Sequence, residues 1–325
     1  MKTALVIGGA GYVGSHAAKA FALDGWRVVV FDNLSAGFRA AVRWGDLIVG
    51  ELADQEALRD AVAAARPDVV AHFAALTSVG DSVGDPVAYY RNNVAGTLNL
   101  LDAVRSQARC PVIFSSTAAV YGVPTQSPIP EDHPKQPINP YGHSKLMMEQ
   151  VLADCDAAHG VRSVCLRYFN AAGADPDGEI GERHNPETHL IPLVLRAARD
   201  PDFAFSIFGG DFSTPDGTCV RDYVHVSDLA RAHVAAAGYL LAGGASTALN
   251  LGSGSGASVL EIIGAIESEL GRAMPRNVGP RRAGDPPALV AAAGKALDVL
   301  GWRTDYDLKD IVATAAAWER KVCQT

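Results

Sequence analysis

The chain has 325 residues, 48% of them hydrophobic and 20% charged, enough for a substantial core or for two domain-sized units. Its formal net charge of -8 argues against nucleic acid as the main partner, because phosphate binding favours a basic face. The five cysteines, Cys110, Cys155, Cys165, Cys219 and Cys323, are odd in number, widely spaced and without a C-x-x-C pair, so neither a disulfide framework nor a metal site is expected.

The N-terminus runs from Met1-Lys2-Thr3 into Ala4-Leu5-Val6-Ile7 and then into glycines, an apolar run too short for a signal peptide. No stretch of about 18 apolar residues occurs, so no membrane span is expected. With no address signal, the expected location is the cytoplasm. In chain order, short runs rich in Val and Ile predict strands over residues 3–8, 27–32, 68–72, 112–115 and 163–168. They lack polar alternation, as expected of parallel strands buried on both faces. Helical patterns begin at Val13, at Gln55, near Pro86 (a long one) and at Pro140. This alternation predicts an α/β fold with a doubly wound parallel sheet. Residues 171–186 and 208–217 predict long loops, which in compact domains are often functional. Residues 222–251 return to a strand–helix–strand pattern. The expectation is a Rossmann domain over 1–170, rejoined by 222–251, and a smaller C-terminal α/β substrate domain within 171–325, mainly 171–221 and 252–325.

Gly8-Gly9-Ala10-Gly11-Tyr12-Val13-Gly14 follows the first strand and opens a helix. Gly8 lets the chain turn sharply, Gly11 lets backbone approach a pyrophosphate, and Gly14 lets the helix pack closely. The phosphates would sit at the helix N-terminus. A tight strand–helix turn with no ligand is the plain alternative, but Asp32 ends the next strand, where a carboxylate accepts hydrogen bonds from a ribose diol. It would repel a 2′-phosphate, so NAD is expected rather than NADP, with Arg39 further along the loop as the weaker counter-argument.

Tyr141 and Lys145 lie four apart at the start of the helix after Pro140 and so share a face. A tyrosine titrates near ~10 and is a poor base at neutral pH. A neighbouring ammonium and a cationic nicotinamide would favour the phenolate. A surface pair on an amphipathic helix is the plain reading. Against it stands the preceding strand end Phe114-Ser115-Ser116-Thr117, a place where α/β sites form.

The glycine loop, this strand end and Tyr-x-x-x-Lys resemble the extended short-chain dehydrogenase/reductase family. Further stretches narrow the resemblance to the UDP-glucose 4-epimerases: Asp32-Asn33-Leu34-Ser35, Asn92-Asn93-Val94, Val120-Tyr121-Gly122, Arg167-Tyr168-Phe169-Asn170, residues 216–223 (DGTCVRDY) and Arg281-Arg282-Ala283-Gly284-Asp285. The resemblance implies a UDP-sugar substrate whose 4-hydroxyl proton goes to Tyr141, while its C4 hydride passes to NAD and returns to the other face of the 4-keto sugar. It implies that Lys145 holds the nicotinamide ribose and that Thr117 bonds the sugar near its reacting hydroxyl. It places Gly8, Gly11, Tyr12, Val13, Gly14, Asp32, Asn33, Ser35, Leu52, Phe73, Ala74, Ala75, Asn92, Ser115 and Tyr168 around the cofactor, and Asn170, His189, Leu190, Arg221, Arg282, Asp285 and Leu289 around the UDP-sugar. The two arginines also suit a pyrophosphate on physical grounds.

Three positions depart from the usual pattern: Thr77 stands where many relatives have Lys, His189 where many have Asn, and Leu289 where some have Tyr. NAD retention and the preferred sugar are therefore left open, with UDP-xylose/arabinose and UDP-N-acetylglucosamine as alternatives to UDP-glucose/galactose. A 4,6-dehydratase would need an acidic pair after Thr117, where this chain has Ala118-Ala119. A non-catalytic NAD-binding regulator is the reading from another class. A homodimer is expected from the resemblance and from the long helices near Pro86 and Pro140.

Overall fold

The computed structural model describes residues 1–322 other than 201, 204, 283 and 284, so Cys323 and the Ala283-Gly284 pair lie outside the described residues. Strands β1 (Thr3–Ile7), β2 (Arg27–Asp32), β3 (Asp46–Val49), β4 (Val69–His72), β5 (Val112–Thr117) and β6 (Ser163–Tyr168) join a seventh, Thr247–Leu251, in one sheet. Every pairing in it is parallel. All five residues of β1 and all six of β5 are buried, which is why these runs show no polar alternation. β3 was not expected: Asp-Leu-Ile-Val is short, and as the edge strand it is only half-buried.

Reading across, the order is Thr247–Leu251, β6, β5, β4, β1, β2, β3. The direction of winding reverses between β1 and β4, and a crevice opens there beyond the carboxyl ends of the strands. Apolar side chains on the two sheet faces form separate clusters, one around Val6, Phe21 and Leu249, the other around Leu5, Leu58 and Leu152. Past Tyr223–His225, the helix Val226–Leu241 leads to Thr247–Leu251, which joins this sheet beside β6.

Local chemistry sets the helix starts. Asp54 caps the helix Gln55–Ala65 by accepting from the Glu56 and Ala57 amides. Asn139 accepts from Gly142 N at 2.8 Å, and Pro140 occupies the first turn of the helix Pro140–His159. Helical structure does run from Pro86 to Gln107, but as two α-helical segments on either side of a π-helical stretch, Tyr90–Ala95. Buried Asn93 in that stretch donates to Ser144 Oγ at 3.1 Å and accepts from Leu76 N at 2.8 Å. It thereby ties the β4 loop to the Tyr141 helix. The segment predicted as a loop from residue 171 opens with a short strand, Asn170–Ala172, paired in parallel with Tyr223–His225. A third apolar cluster, around Val194, Ile262 and Ile311, is built by the helices Leu190–Arg199, Val259–Leu270 and Leu308–Val322. No helix among the described residues is long and apolar enough to cross a membrane.

Candidate active site

A cavity of about 580 Å³ lies over the β1–β4 crevice and extends toward the third cluster. Its floor is the glycine loop. Gly8 has φ +83°, and a Cβ there would lie 2.5 Å from Ala74 N; a Cβ on Gly14 would lie 2.2 Å from Gly8 O. Only glycine permits this packing of loop, helix and β4 loop. The helix Tyr12–Leu23 starts after Gly11 with no side-chain cap, and a Cβ on Gly11 would meet nothing closer than Gly8 O at 3.4 Å. An uncapped helix start beside an open glycine is a cradle for a pyrophosphate. Asp32 is buried at the end of β2, its carboxylate accepting from Ala10 N at 2.9 Å and Leu34 N at 2.7 Å. These residues fit a dinucleotide.

Thr117, Tyr141, Ser115 and Tyr168 line the cavity wall above the loop. Burial pushes the Tyr141 phenol up to about 12, the Thr117 hydroxyl beside it pulls it down, and Tyr89 adds to the rise. Lys145 is buried beneath the wall, where its ammonium donates to Ser115 O at 2.8 Å and lies 4.8 Å from the Phe114 ring centre and 5.9 Å from that of Tyr141. Burial lowers its pKa to about 7, against the pull of Cys165 and Glu149. In the protein alone, burial is the largest influence on the phenol. Ser115 and Tyr168 share a short hydroxyl–hydroxyl contact next to Lys145.

Most expected residues meet in this cavity: Gly8, Gly11, Tyr12, Val13, Gly14, Phe73, Ala75, Ser115, Thr117, Tyr141, Tyr168, Asn170, His189, Arg221, Asp285 and Leu289. Arg221 is held by Val220 O and Pro286 O and lies 3.5 Å from Asp285. Others stand outside its lining. Arg282 stacks over Phe208, its guanidinium carbon 4.1 Å from the ring centre, so only one of the two expected arginines faces the cavity. Leu52 is buried beneath Gly96. Ser35 donates to Asn33 Oδ1 in the loop after β2, and Asn33 donates to Glu51 beyond β3. Asn92 donates to Asn93, Leu190 packs into the third cluster, and Ala74 bonds Ile7 O behind the loop. Asp32 and Lys145 are buried behind the lining.

Sequence reasoning missed Glu182 and His184, which line the cavity beside His189. They come from a segment predicted as loop, and the spacing Glu-x-His-x-x-Glu-x-His over 182–189 was their only signal. Ala118 and Ala119 also line the cavity, which puts methyl groups where a dehydratase would need acids.

A parallel sheet with a phosphate cradle at its switch point and a phenol on the adjoining wall defines a dinucleotide-dependent enzyme of the Tyr-x-x-x-Lys type. The chain belongs to the NAD dependent epimerase/dehydratase family, which it matches over residues 4–252. It is 52% identical over 320 residues to a UDP-glucose 4-epimerase of Rhizobium leguminosarum bv. trifolii, with 98% of both chains covered. The crystal structure of UDP-glucose 4-epimerase from Brucella ovis in complex with NAD is 52% identical, with a TM-score of 0.94 over 97% of this chain and 98% of that one. The enzyme from Bifidobacterium longum, in complex with NAD+ and UDP, is 37% identical with a TM-score of 0.93, covering 98% of each chain.

Proposed function

We propose that this chain catalyses NAD-dependent 4-epimerisation of a UDP-hexose, UDP-glucose and UDP-galactose being the preferred pair. The observation that carries this reading is the cavity wall itself: the Thr117–Tyr141 pair stands directly above the glycine cradle, with no acid at positions 118 and 119. The 52% identity to a UDP-glucose 4-epimerase along almost the whole chain supports it. When bound, NAD supplies the transient hydride acceptor for the sugar's C4. Tyr141 takes the proton of the 4-hydroxyl and later returns it. Thr117 orients that hydroxyl. Lys145, fixed to Ser115 O, keeps positive charge beneath the phenol. Asn170, His189, Leu190, Arg221, Arg282, Asp285 and Leu289 are assigned to the UDP-sugar, Arg221 toward the diphosphate. Asp32, Asn33 and Ser35 are assigned to the adenosine side and Leu52, Phe73, Ala74, Ala75 and Asn92 to the remaining cofactor contacts. The cofactor domain spans 1–170 with 222–251, and the substrate domain 171–221 with 252–325.

The working form is a cytoplasmic homodimer. Val87, Leu98 and Met147, exposed at 59%, 44% and 46% on the Pro86–Tyr89, Gly96–Gln107 and Pro140–His159 helices, would form its contact. Light scattering at micromolar concentration checks this, and a monomer there rejects it.

The decisive experiment is conversion of UDP-galactose to UDP-glucose by the purified protein, compared with its Tyr141→Phe variant. The variant keeps the ring but removes the proton acceptor, so turnover should fall by at least ~10² while UDP-sugar binding persists. Inactivity of the unaltered protein on both sugars would favour the regulator instead, and near-normal turnover in the variant would remove Tyr141 from the mechanism.

A further inference from the structure

Glu182, His184 and His189 line the cavity near Tyr12, Glu187 lies beside them, and one ligand atom from each of the four lies within 4.8 Å of all the others. Nδ1 of His189 is 3.0 Å from Glu182 Oε1 and 3.0 Å from Glu187 Oε1; Nδ1 of His184 is 3.3 Å from Glu187 Oε2 and 3.5 Å from Glu182 Oε1. Hydrogen bonding does not satisfy this set. An imidazole has one Nδ1 proton to give. The bonds of both Nδ1 atoms go to Glu187. Glu182 Oε1, in a side chain only 7% exposed, receives no aligned hydrogen bond and meets only the two imidazoles, at ion-pair distance. A buried carboxylate oxygen without a donor calls for a cation.

We infer that Glu182, His184, Glu187 and His189 form a binding site for one divalent transition-metal ion of the zinc class. Zinc bonds to imidazole nitrogen and carboxylate oxygen are about 2.0–2.2 Å long and arranged tetrahedrally, which puts neighbouring ligand atoms about 3.3–3.5 Å apart. The four imidazole–carboxylate separations, 3.0 to 3.5 Å, lie near that edge length, with Glu187 offering Oε1 toward His189 and Oε2 toward His184. Two carboxylates balance the charge of the ion. Two imidazoles favour Zn²⁺, Co²⁺ or Ni²⁺ over Mg²⁺ and Ca²⁺, which take oxygen ligands. Four protein ligands close the coordination sphere, so the ion is structural. It fastens the 182–189 segment, otherwise tied by Trp318 Nε1 donating to Glu182 O at 2.9 Å, and it does so at the start of the Leu190–Arg199 helix. Coordination through Nδ1 leaves Nε2 of each ring free for other partners. The Asp175-Asp177-Glu179 cluster is a different case, because the Lys19 ammonium already sits 2.7 to 2.9 Å from all three carboxylates.

The test uses untagged full-length protein, stripped with chelator and dialysed against Zn²⁺, with metal measured per chain. One Zn²⁺ per chain and a Zn²⁺-dependent rise in melting temperature are expected, together with tetrahedral visible absorption when Co²⁺ replaces Zn²⁺. Glu182→Gln and His184→Gln should each weaken Zn²⁺ binding more than ~100-fold, since even losing a residue behind a metal ligand costs about 10–100-fold. Both variants keep the size of the original side chain, and circular dichroism of the metal-free proteins checks that they fold. No stoichiometric Zn²⁺ in the unaltered protein, octahedral Co²⁺ spectra, or undiminished binding in both folded variants would overturn the site.

Discussion

Replacing Lys145 with methionine separates two roles that a lysine below a catalytic tyrosine can have. The ammonium lies 5.9 Å from the Tyr141 ring centre, and at an effective dielectric constant of about 20 a unit charge at that distance is worth about 3 kcal/mol, or about 2 pKa units on the phenol. The coupling is mutual. Lys145 titrates at about 7 in the protein alone, and a phenolate above it holds the proton on the lysine. Lys145→Met keeps the length of the side chain and relieves a buried charge, so the fold should survive. Turnover of UDP-galactose at saturating NAD should then fall about 100-fold at pH 7, with the apparent pKa of the rising limb moving up by about 2 units. The deficit should shrink as pH increases. Initial rates of both proteins between about pH 6 and about pH 10 provide the comparison. A deficit of the same size at every pH, with the rising limb unmoved, would refute an electrostatic role and leave Lys145 only as an anchor for cofactor and backbone.

Gly14→Ala would place a Cβ 2.2 Å from Gly8 O; overpacking of this kind costs about 1–3 kcal/mol, and both the melting temperature and the NAD content of the purified protein should drop. Burial holds His16, His72 and His233 down at about 4, 3 and 4. The unfolded chain therefore takes up protons below about pH 6.5 that the folded chain refuses, and each histidine should remove about 2 kcal/mol of stability by pH 5. Urea unfolding at pH 7 and pH 5 measures this loss, and equal stability at the two pH values would contradict it. Leu289 lines the cavity, so Leu289→Ala should raise kcat/KM for UDP-N-acetylglucosamine relative to UDP-glucose by roughly 10–200-fold; an unchanged ratio would place the acetamido group elsewhere.

The parts of the fold visible in the sequence are those governed by local rules. Arg27–Asp32 and Ser163–Tyr168 were predicted to the residue, because a strand buried on both faces is an uninterrupted apolar run between polar ends. The helix starts at Gln55 and Pro140 were legible because Asp54 and Asn139 cap them from the adjoining positions. The π-helical stretch at Tyr90–Ala95 was not legible, since its apolar spacing resembles that of an α-helix and its shape goes with the bonds of Asn93 to Leu76 and Ser144. Asn170–Ala172 and Ala288–Leu289 were missed for a related reason: two or three residues become a strand only when a distant partner supplies the other half of the ladder.

The site divides along the same line. Identity and spacing were enough to bring Gly8, Gly11, Gly14, Thr117 and Tyr141 to one cavity, because each sits at a strand end or helix start whose position the sequence already marks. The direction of a pKa depends instead on depth. Spacing puts Lys145 near Tyr141, but it does not say that the ammonium would be buried and bound to Ser115 O, or that burial would dominate the phenol. Arg282 shows how an exposed side chain escapes such reasoning, since the Phe208 ring on a distant strand competes for it. The residues from Glu182 to His189 go furthest beyond the sequence. Their converging Nδ1 and carboxylate atoms come from an irregular segment whose path follows from its packing against Tyr12 and Trp318. Neither a 3.6-residue nor a two-residue period could have placed them together.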